Sequence, residues 1–245
     1  MKTNPEDKNE VEVTLVFPAY NEGENLENAV RKTTRALEEI TNSYEMIIAE
    51  DGSTDGTDRI ADRLSSEYEF IRHIHSDERL GRGLALKNAF AESNGTILVY
   101  MDVDLATSVE HLSTLIESVR KDYDFATGSR MLPESKVSRS LSRQVASKFY
   151  NSLVRELLGS KISDHQCGFK AARRGALLEI LDEVKATHWF WDTELLVRAS
   201  RRGYRVKEIP VEWTHKGRTK VRLVKDTVQM GSQVLNLWWQ LRSRQ

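Results

Sequence analysis

From Val11 to Thr127 short apolar runs alternate with segments whose apolar residues recur at helical spacing, and nothing else constrains this 245-residue chain as tightly. Val11 to Phe17 alternates and ends at Pro18, which reads as a strand running into a loop. Tyr44 to Ala49, Phe70 to His75, Thr96 to Met101 and Tyr123 to Thr127 read as further strands. Between them, Leu26, Ala29, Val30, Thr33, Leu37 and Ile40 keep a helical period. So do Thr57 to Ser66, Leu84 to Ser93, and the set Val109, Leu112, Leu115, Ile116 and Val119. Strands separated by helices imply right-handed crossovers. The expected class is therefore α/β, a Rossmann-like, mainly parallel sheet flanked by helices on both faces.

After Gly128 the alternation stops. Arg139 to Leu158 reads as a long basic amphipathic helix, followed by a loop (Gly159 to Gly168), shorter helices and a late strand near Tyr204 to Ile209. Leu223 to Leu241 is again amphipathic. Leu223, Val224, Val228, Met230, Val234, Leu235, Leu237, Trp238, Trp239 and Leu241 share a broad face opposite Lys225, Asp226, Gln229, Gln233, Asn236 and Gln240. The expected organisation is a disordered, charged lead-in (1–10), one α/β domain (11–222) and a C-terminal amphipathic helix (223–245).

Composition narrows the function. A formal net charge of -1 supplies no global attraction to nucleic acid, so a nucleic-acid partner is not expected. The lone Cys167 excludes an internal disulfide and fits a reducing compartment. No stretch reaches the roughly 18 apolar residues of a membrane span, and the polar start does not read as a signal peptide. The expected location is cytoplasmic.

Three polar clusters follow three of the strands: Pro18 to Glu22, Glu50 to Asp55, and Asp102-Val103-Asp104. Ligands of an open parallel sheet bind at the carboxyl ends of its strands. Carboxylates gathered there repel one another unless a cation neutralises them, and Mg²⁺ or Mn²⁺ is commonly held by one or two carboxylates plus substrate phosphates. Each cluster also has a plainer reading. Asp-Gly-Ser-Thr-Asp fits a turn closed by Asx hydrogen bonds, and Asp104 or Thr107 fits a cap on the helix starting near Ser108. Their convergence on one sheet edge favours a site.

The order Phe-Pro-Ala-Tyr-Asn-Glu (17–22), Glu-Asp-Gly-Ser-Thr-Asp-Gly-Thr (50–57), Gly-Arg-Gly-Leu-Ala (81–85) and Met-Asp-Val-Asp (101–104) resembles family 2 glycosyltransferases of the GT-A fold, over most of the chain. Gly128-Ser129-Arg130, Asp164 to Lys170, Trp191 to Leu196 and Val211 to Thr214 resemble a narrower branch, the dolichyl-phosphate β-glucosyltransferases and related polyprenyl-phosphate sugar synthases. Glu50 stands where the family usually has the first Asp of Asp-Asp-Gly-Ser. The branch often carries a membrane anchor, and this sequence shows none.

The resemblance implies a nucleotide-sugar donor with Pro18, Ala19, Tyr20, Glu22 and Asp51 around its nucleoside. It implies Arg82 beside the nucleotide and a metal motif of Asp102 and Asp104. Asp104 is the stronger candidate for direct ligation, Asp102 for the ribose or donor sugar, and Gln166 a further metal ligand. A bound cation stabilises charge developing on the leaving diphosphate. A polyprenyl-phosphate acceptor is already anionic and needs cationic positioning, for which Arg130, Arg143 and Lys170 are candidates. A hydroxyl acceptor needs a base, and Asp192 is the obvious one. Asp192 and Glu194 equally suit a helix N-terminus. The expected activity is inverting transfer of a hexose, glucose from UDP-glucose, to dolichyl or another polyprenyl phosphate. A hydroxyl acceptor and a non-catalytic nucleotide-sugar-binding regulator are the alternatives.

The remaining features read as structural. His73 and His75 alternate on a strand without acids nearby in sequence, and are expected to be surface or core histidines. Cys167 is expected to be buried, and Trp189, Trp191 and Trp213 to pack around the acceptor side. The C-terminal helix either docks on the core, because so wide an apolar face is costly in water, or lies in a membrane interface. In the second case Trp238 and Trp239 sit at headgroup level, with Lys216, Arg218, Lys220, Arg222, Arg242 and Arg244 facing anionic lipid on the cytoplasmic side.

Overall fold

The computed structural model describes residues 11–214 and 223–242. The lead-in 1–10, the basic run Lys216 to Arg222 and Arg244 lie outside the described residues. Strands β1 (Val13–Ala19), β2 (Tyr44–Glu50), β3 (Ile71–Ile74), β4 (Ile97–Met101) and β5 (Phe125–Ser129) alternate with α1 (Leu26–Glu38), α2 (Thr57–Glu67), α3 (Arg82–Ala91) and α4 (Leu112–Lys121), as the periodicity predicts. Then follow β6 (Lys136–Ser138), α5 (Leu141–Leu158), β7 (Phe169–Arg173), α6 (Arg174–Leu181), α7 (Trp191–Arg201), β8 (Val206–Pro210), β9 (Glu212–Thr214) and α8 (Leu223–Arg242).

The main sheet runs β3-β2-β1-β4-β7-β5-β8. All its pairings are parallel except those of β7, which lies antiparallel between β4 and β5. The expected mainly parallel sheet is present, but β7 falls in a region expected to hold only helices. Its sequence, Phe-Lys-Ala-Ala-Arg, is rich in good helix formers, and hydrogen bonding to strands on both sides overrides that preference. The short parallel pair β6–β9 was likewise not expected.

Side-chain alternation splits the core into two layers. Val13, Leu15, Phe17, Met46, Ile48, Val99 and Met101 point toward α1, α2 and α4. Val16, Ile47, Leu98 and Tyr100 point toward α3, α6 and α7. The central strands β1, β2 and β4 are thus buried on both faces, which is why they read as largely apolar runs. A third cluster joins α5 (Tyr150, Val154, Leu158) and α7 (Phe190, Val197 nearby) to Met230, Val234 and Leu237 of α8. The C-terminal helix therefore rests on the core through these three residues, while Leu235 and Trp239 stay exposed. The broad face read from the sequence is divided between the two environments. Among the described residues no helix is long and apolar enough to cross a membrane.

Candidate active site

Two loops at the carboxyl ends of β1 and β2 are stitched together by side chain to backbone bonds. Asn21, in the left-handed region, takes a bond from Thr54 N on Oδ1 (2.8 Å) and donates its own N–H to Ser53 Oγ (2.9 Å). Glu22 N donates to Thr57 Oγ1 (2.8 Å) and Gly23 N to Asp55 (3.1 Å). The Asx turn read from the sequence is present, with Thr57 N donating to Asp55 Oδ1 (3.1 Å), and it ties the two loops together at the sheet edge rather than forming an isolated bend. Pro18, Ala19 and Tyr20 close β1 beside it, with the Arg79 guanidinium 3.9 Å above the Tyr20 ring. The buried Asp51 carboxylate accepts from Leu80 N (2.6 Å) and Gly81 N (3.0 Å), and burial raises its pKa against those bonds.

Asp102 and Asp104 follow β4 on a tight turn in which Leu105 is left-handed. Asp104 accepts from Ala106 N (2.9 Å), and the cap on the following 3₁₀ turn is Ser108, so neither Asp104 nor Thr107 performs the capping role. Two carboxylates on one turn form a hard-oxygen donor set that fits Mg²⁺ or Mn²⁺.

Arg82 joins this turn to the second half of the chain. Its guanidinium is 2.8 Å from Asp102 Oδ1 and 2.6 Å from Asp192 Oδ2. The glycines flanking it serve packing. A Cβ on Gly81 would strike His188 and one on Gly83 would strike Trp191, so the N-terminus of α3 can press against residues 187–191. Asp192 Oδ1 accepts from Lys170 Nζ (2.9 Å) and from the Tyr100 hydroxyl. Lys170 reaches it because β7 pairs Lys170 with Tyr100 in register. Burial pushes Asp192 up to about 6 against the pull of Arg82, and pushes Lys170 down to about 7. Glu194, by contrast, is structural. It binds the Lys185 and Ala186 amides (3.0 and 2.9 Å) and Arg198 (2.6 Å).

The other cations expected at the site are less free than the sequence suggested. Arg130 is bidentate to the fully buried Asp164 (2.7 and 2.9 Å), holding that carboxyl far below its usual range. Arg143 lies half-buried on the first turns of α5. Gln166 directs Nε2 at Met230 Sδ of α8 (3.5 Å). Cys167 is buried, as expected, and burial raises its thiol to about 11. Trp191 packs against Phe90 and Tyr100, while Arg82 lies over Trp189 and Arg130 over Trp213.

Two residues escaped the sequence reading. Arg139 is half-buried with an unpartnered, buried Nε, and its pKa is lowered by burial and by the Arg130 charge. Only its place before a basic helix hinted at a role. Gly168 leaves so little room that a Cβ would lie 2.0 Å from Asp102 Oδ2. His73 and His75, expected to have no acids nearby in sequence, are paired with acids. Asp62 at 2.6 Å from His73 and Glu50 at 2.6 Å from His75 come from elsewhere in the chain, while Asp77, 3.3 Å from His75, is only two residues on and corrects that expectation.

Residues 14–181 match the family described as Glycosyl transferase family 2. The chain is 54% identical over 237 residues to glycosyltransferase AglD of Haloferax volcanii, covering 96% of this chain but only 38% of that protein. It is 28% identical to the dolichyl-phosphate beta-glucosyltransferase of Saccharomyces cerevisiae, over 94% of this chain and 75% of the yeast protein. Its fold matches glucosyl-3-phosphoglycerate synthase of Mycobacterium tuberculosis, solved with Mn²⁺, UDP and glucosyl-3-phosphoglycerate. The TM-score is 0.65 at 19% identity, over 92% of this chain and 77% of that one. The GT-A architecture expected from the motifs is the one observed.

Proposed function

Because the chain belongs to glycosyl transferase family 2, we propose that it is an inverting, metal-dependent glycosyltransferase moving a hexose, glucose from UDP-glucose, onto dolichyl or another polyprenyl phosphate. The state of Asp192 carries the choice of acceptor. A hydroxyl acceptor requires a base with an oxygen free to take its proton, whereas Asp192 already accepts from Lys170, Tyr100 and Arg82. A phosphate acceptor is anionic before it arrives and needs no such base. The name of the yeast relative supports the same acceptor class.

In this reading Pro18, Ala19, Tyr20, Glu22 and Asp51 hold the nucleoside. Mg²⁺ or Mn²⁺ held by Asp104 and Asp102 would neutralise charge on the leaving diphosphate. Asp104 is the main ligand, and Asp102, whose Oδ1 is held by Arg82, faces the ribose or donor sugar. Gln166 joins the shell by turning away from Met230. Lys170 and Arg82 keep Asp192 anionic in a buried site and orient the donor side. Arg130, fixed by Asp164, adds its positive charge to that of Arg139, which with Arg143 receives the acceptor phosphate.

The lipid acceptor places the enzyme at a bilayer, peripherally on the cytoplasmic face. Exposed Leu235 and Trp239 of the docked α8 supply the contact, together with Leu141, Val145 and Phe149, spaced four apart on the adjoining α5. The test is incubation with Mg²⁺ or Mn²⁺, labelled UDP-glucose and either polyprenyl phosphate or the free polyprenol. Label is expected in lipid only with the phosphate. Label in the polyprenol product would overturn the acceptor assignment.

A further inference from the structure

A second constellation lies at the outer edge of the sheet. Strand β3 pairs with β2 so that His73 sits opposite Ile48 and Ile74 opposite Ala49, which brings Glu50 opposite His75. With the side-chain period of two, His73, His75 and Glu50 share the face covered by α2. The Glu50 side chain is wholly buried and that of His73 is 7% exposed.

His73 is held as a metal-binding histidine is held. Its Nδ1 lies 2.6 Å from Asp62 Oδ1 on α2. An ionised carboxylate only accepts, so Nδ1 carries a proton, and in the neutral ring this leaves the lone pair on Nε2. That Nε2 is buried and has no hydrogen-bond partner. A buried acceptor left without a partner is costly, and a carboxylate on the far ring nitrogen is the usual support behind a histidine ligand. One ligand atom each from Glu50, His73 and His75 falls within 4.8 Å of the others. Metal–ligand bonds of about 2.0–2.2 Å bring such atoms somewhat closer, a movement available to the half-exposed His75 ring.

We propose that Glu50, His73 and His75 form a binding site for Zn²⁺ or a similar borderline divalent ion, separate from the Asp102–Asp104 turn. Two imidazoles and one carboxylate, with a position left for water, are Zn²⁺ chemistry, whereas Mg²⁺ prefers oxygen alone. The ion ties the edge strand to Glu50, whose Oε1 accepts from Ser53 N (2.5 Å) in the turn that meets Asn21. Its consequence is therefore to stiffen the loop beneath the proposed nucleoside pocket.

The untagged chain carrying Asp102→Asn and Asp104→Asn, which removes the other metal motif, should be titrated with Co²⁺. A visible d–d absorption saturating at one equivalent and displaced by Zn²⁺ is expected. Adding His73→Gln should abolish it, and Asp62→Asn should weaken Co²⁺ binding about 10- to 100-fold. Zn²⁺ should raise the thermal midpoint of the double variant and not of the His73→Gln protein. Should His73→Gln fail to fold, His75→Gln, at a half-exposed position, must give the same loss. No saturable absorption, or absorption unchanged by these substitutions, would reduce the trio to an ion-pair cluster and overturn the proposal.

Discussion

The two halves of the candidate site, proposed above to serve the donor and the acceptor, are built by different physics. Between Tyr20 and Thr57 the loops are held by neutral or singly charged bonds from the side chains of one loop to the backbone of the other, 32 to 35 positions away and partly open to water. From Tyr100 onward the site is held by buried charge. Arg82 contacts Asp192, 110 positions away, Lys170 contacts Asp192, and Arg130 contacts Asp164. Turn bonds of the first kind contribute about 1 kcal/mol apiece, and water replaces them when they are lost. Buried ion pairs are different, because removing one partner strands the other in a medium that cannot solvate it. The acceptor half should therefore be the brittle one.

The largest test of that contrast is Arg82→Met. It leaves two carboxylates, Asp102 and Asp192, without their shared guanidinium, although Lys170 still meets Asp192. A loss of about 3–5 kcal/mol is expected in urea unfolding, together with loss of turnover. Unchanged stability would mean that the guanidinium serves substrate alone and that the ion pairs do not hold this half together.

The same division decides what was legible in the sequence. The donor-side loops announce themselves because each is a contiguous motif after a strand, and Asp-Gly-Ser-Thr-Asp-Gly writes its turn chemistry locally. Five strands and four helices follow from periodicity for the same reason. Strand β7 does not, because Lys170 and its alanines prefer helix and only the neighbouring strands make it extended. Arg130 was recognisable as a cation, but its commitment to Asp164, 34 residues on, was not. The two histidines looked inert because Asp62 reaches His73 from α2 and Glu50 reaches His75 from the end of β2 rather than from adjacent positions. Pairings set by tertiary structure leave no trace at short range.

A second test uses acid. His165 is buried, with Nδ1 against Asn151 Oδ1 (2.8 Å) and Nε2 against Ser160 Oγ (2.8 Å), partners that satisfy the neutral ring. Burial lowers its pKa from 6.5 to about 4. Between those values the unfolded chain binds the extra proton, so stability falls as pH drops from 6.5 toward 4, by about 3 kcal/mol. The neighbouring Asp164, depressed by Arg130, adds to the loss only below the ordinary carboxylate range. Asp192, pushed up to about 6, takes up a proton in the folded chain over the same interval and opposes that loss. The readout is therefore the difference: urea midpoints of His165→Gln should hold up better on acidification than those of the wild-type protein. A slope unchanged by the substitution would assign the acid sensitivity elsewhere and weaken the case for a brittle acceptor half.

Gly168→Ala probes the junction of the halves. Gly168 O accepts from Asp102 N (3.0 Å), and the added methyl would fall 2.0 Å from Asp102 Oδ2. Either the carboxylate swings away from Arg82 or the start of β7 shifts, and both separate the metal turn from Lys170 and Asp192. Overpacking of this kind costs about 1–3 kcal/mol, the smallest stability change of the three. Its effect on turnover should be disproportionate, about tenfold or more, because a displaced Asp102 alters the geometry at the leaving diphosphate. Raising Mn²⁺ should recover part of the activity if the turn still closes on the ion. A variant that loses stability yet keeps full turnover would show that Asp102 need not be held against β7, and that the donor half works independently of the charged half behind it.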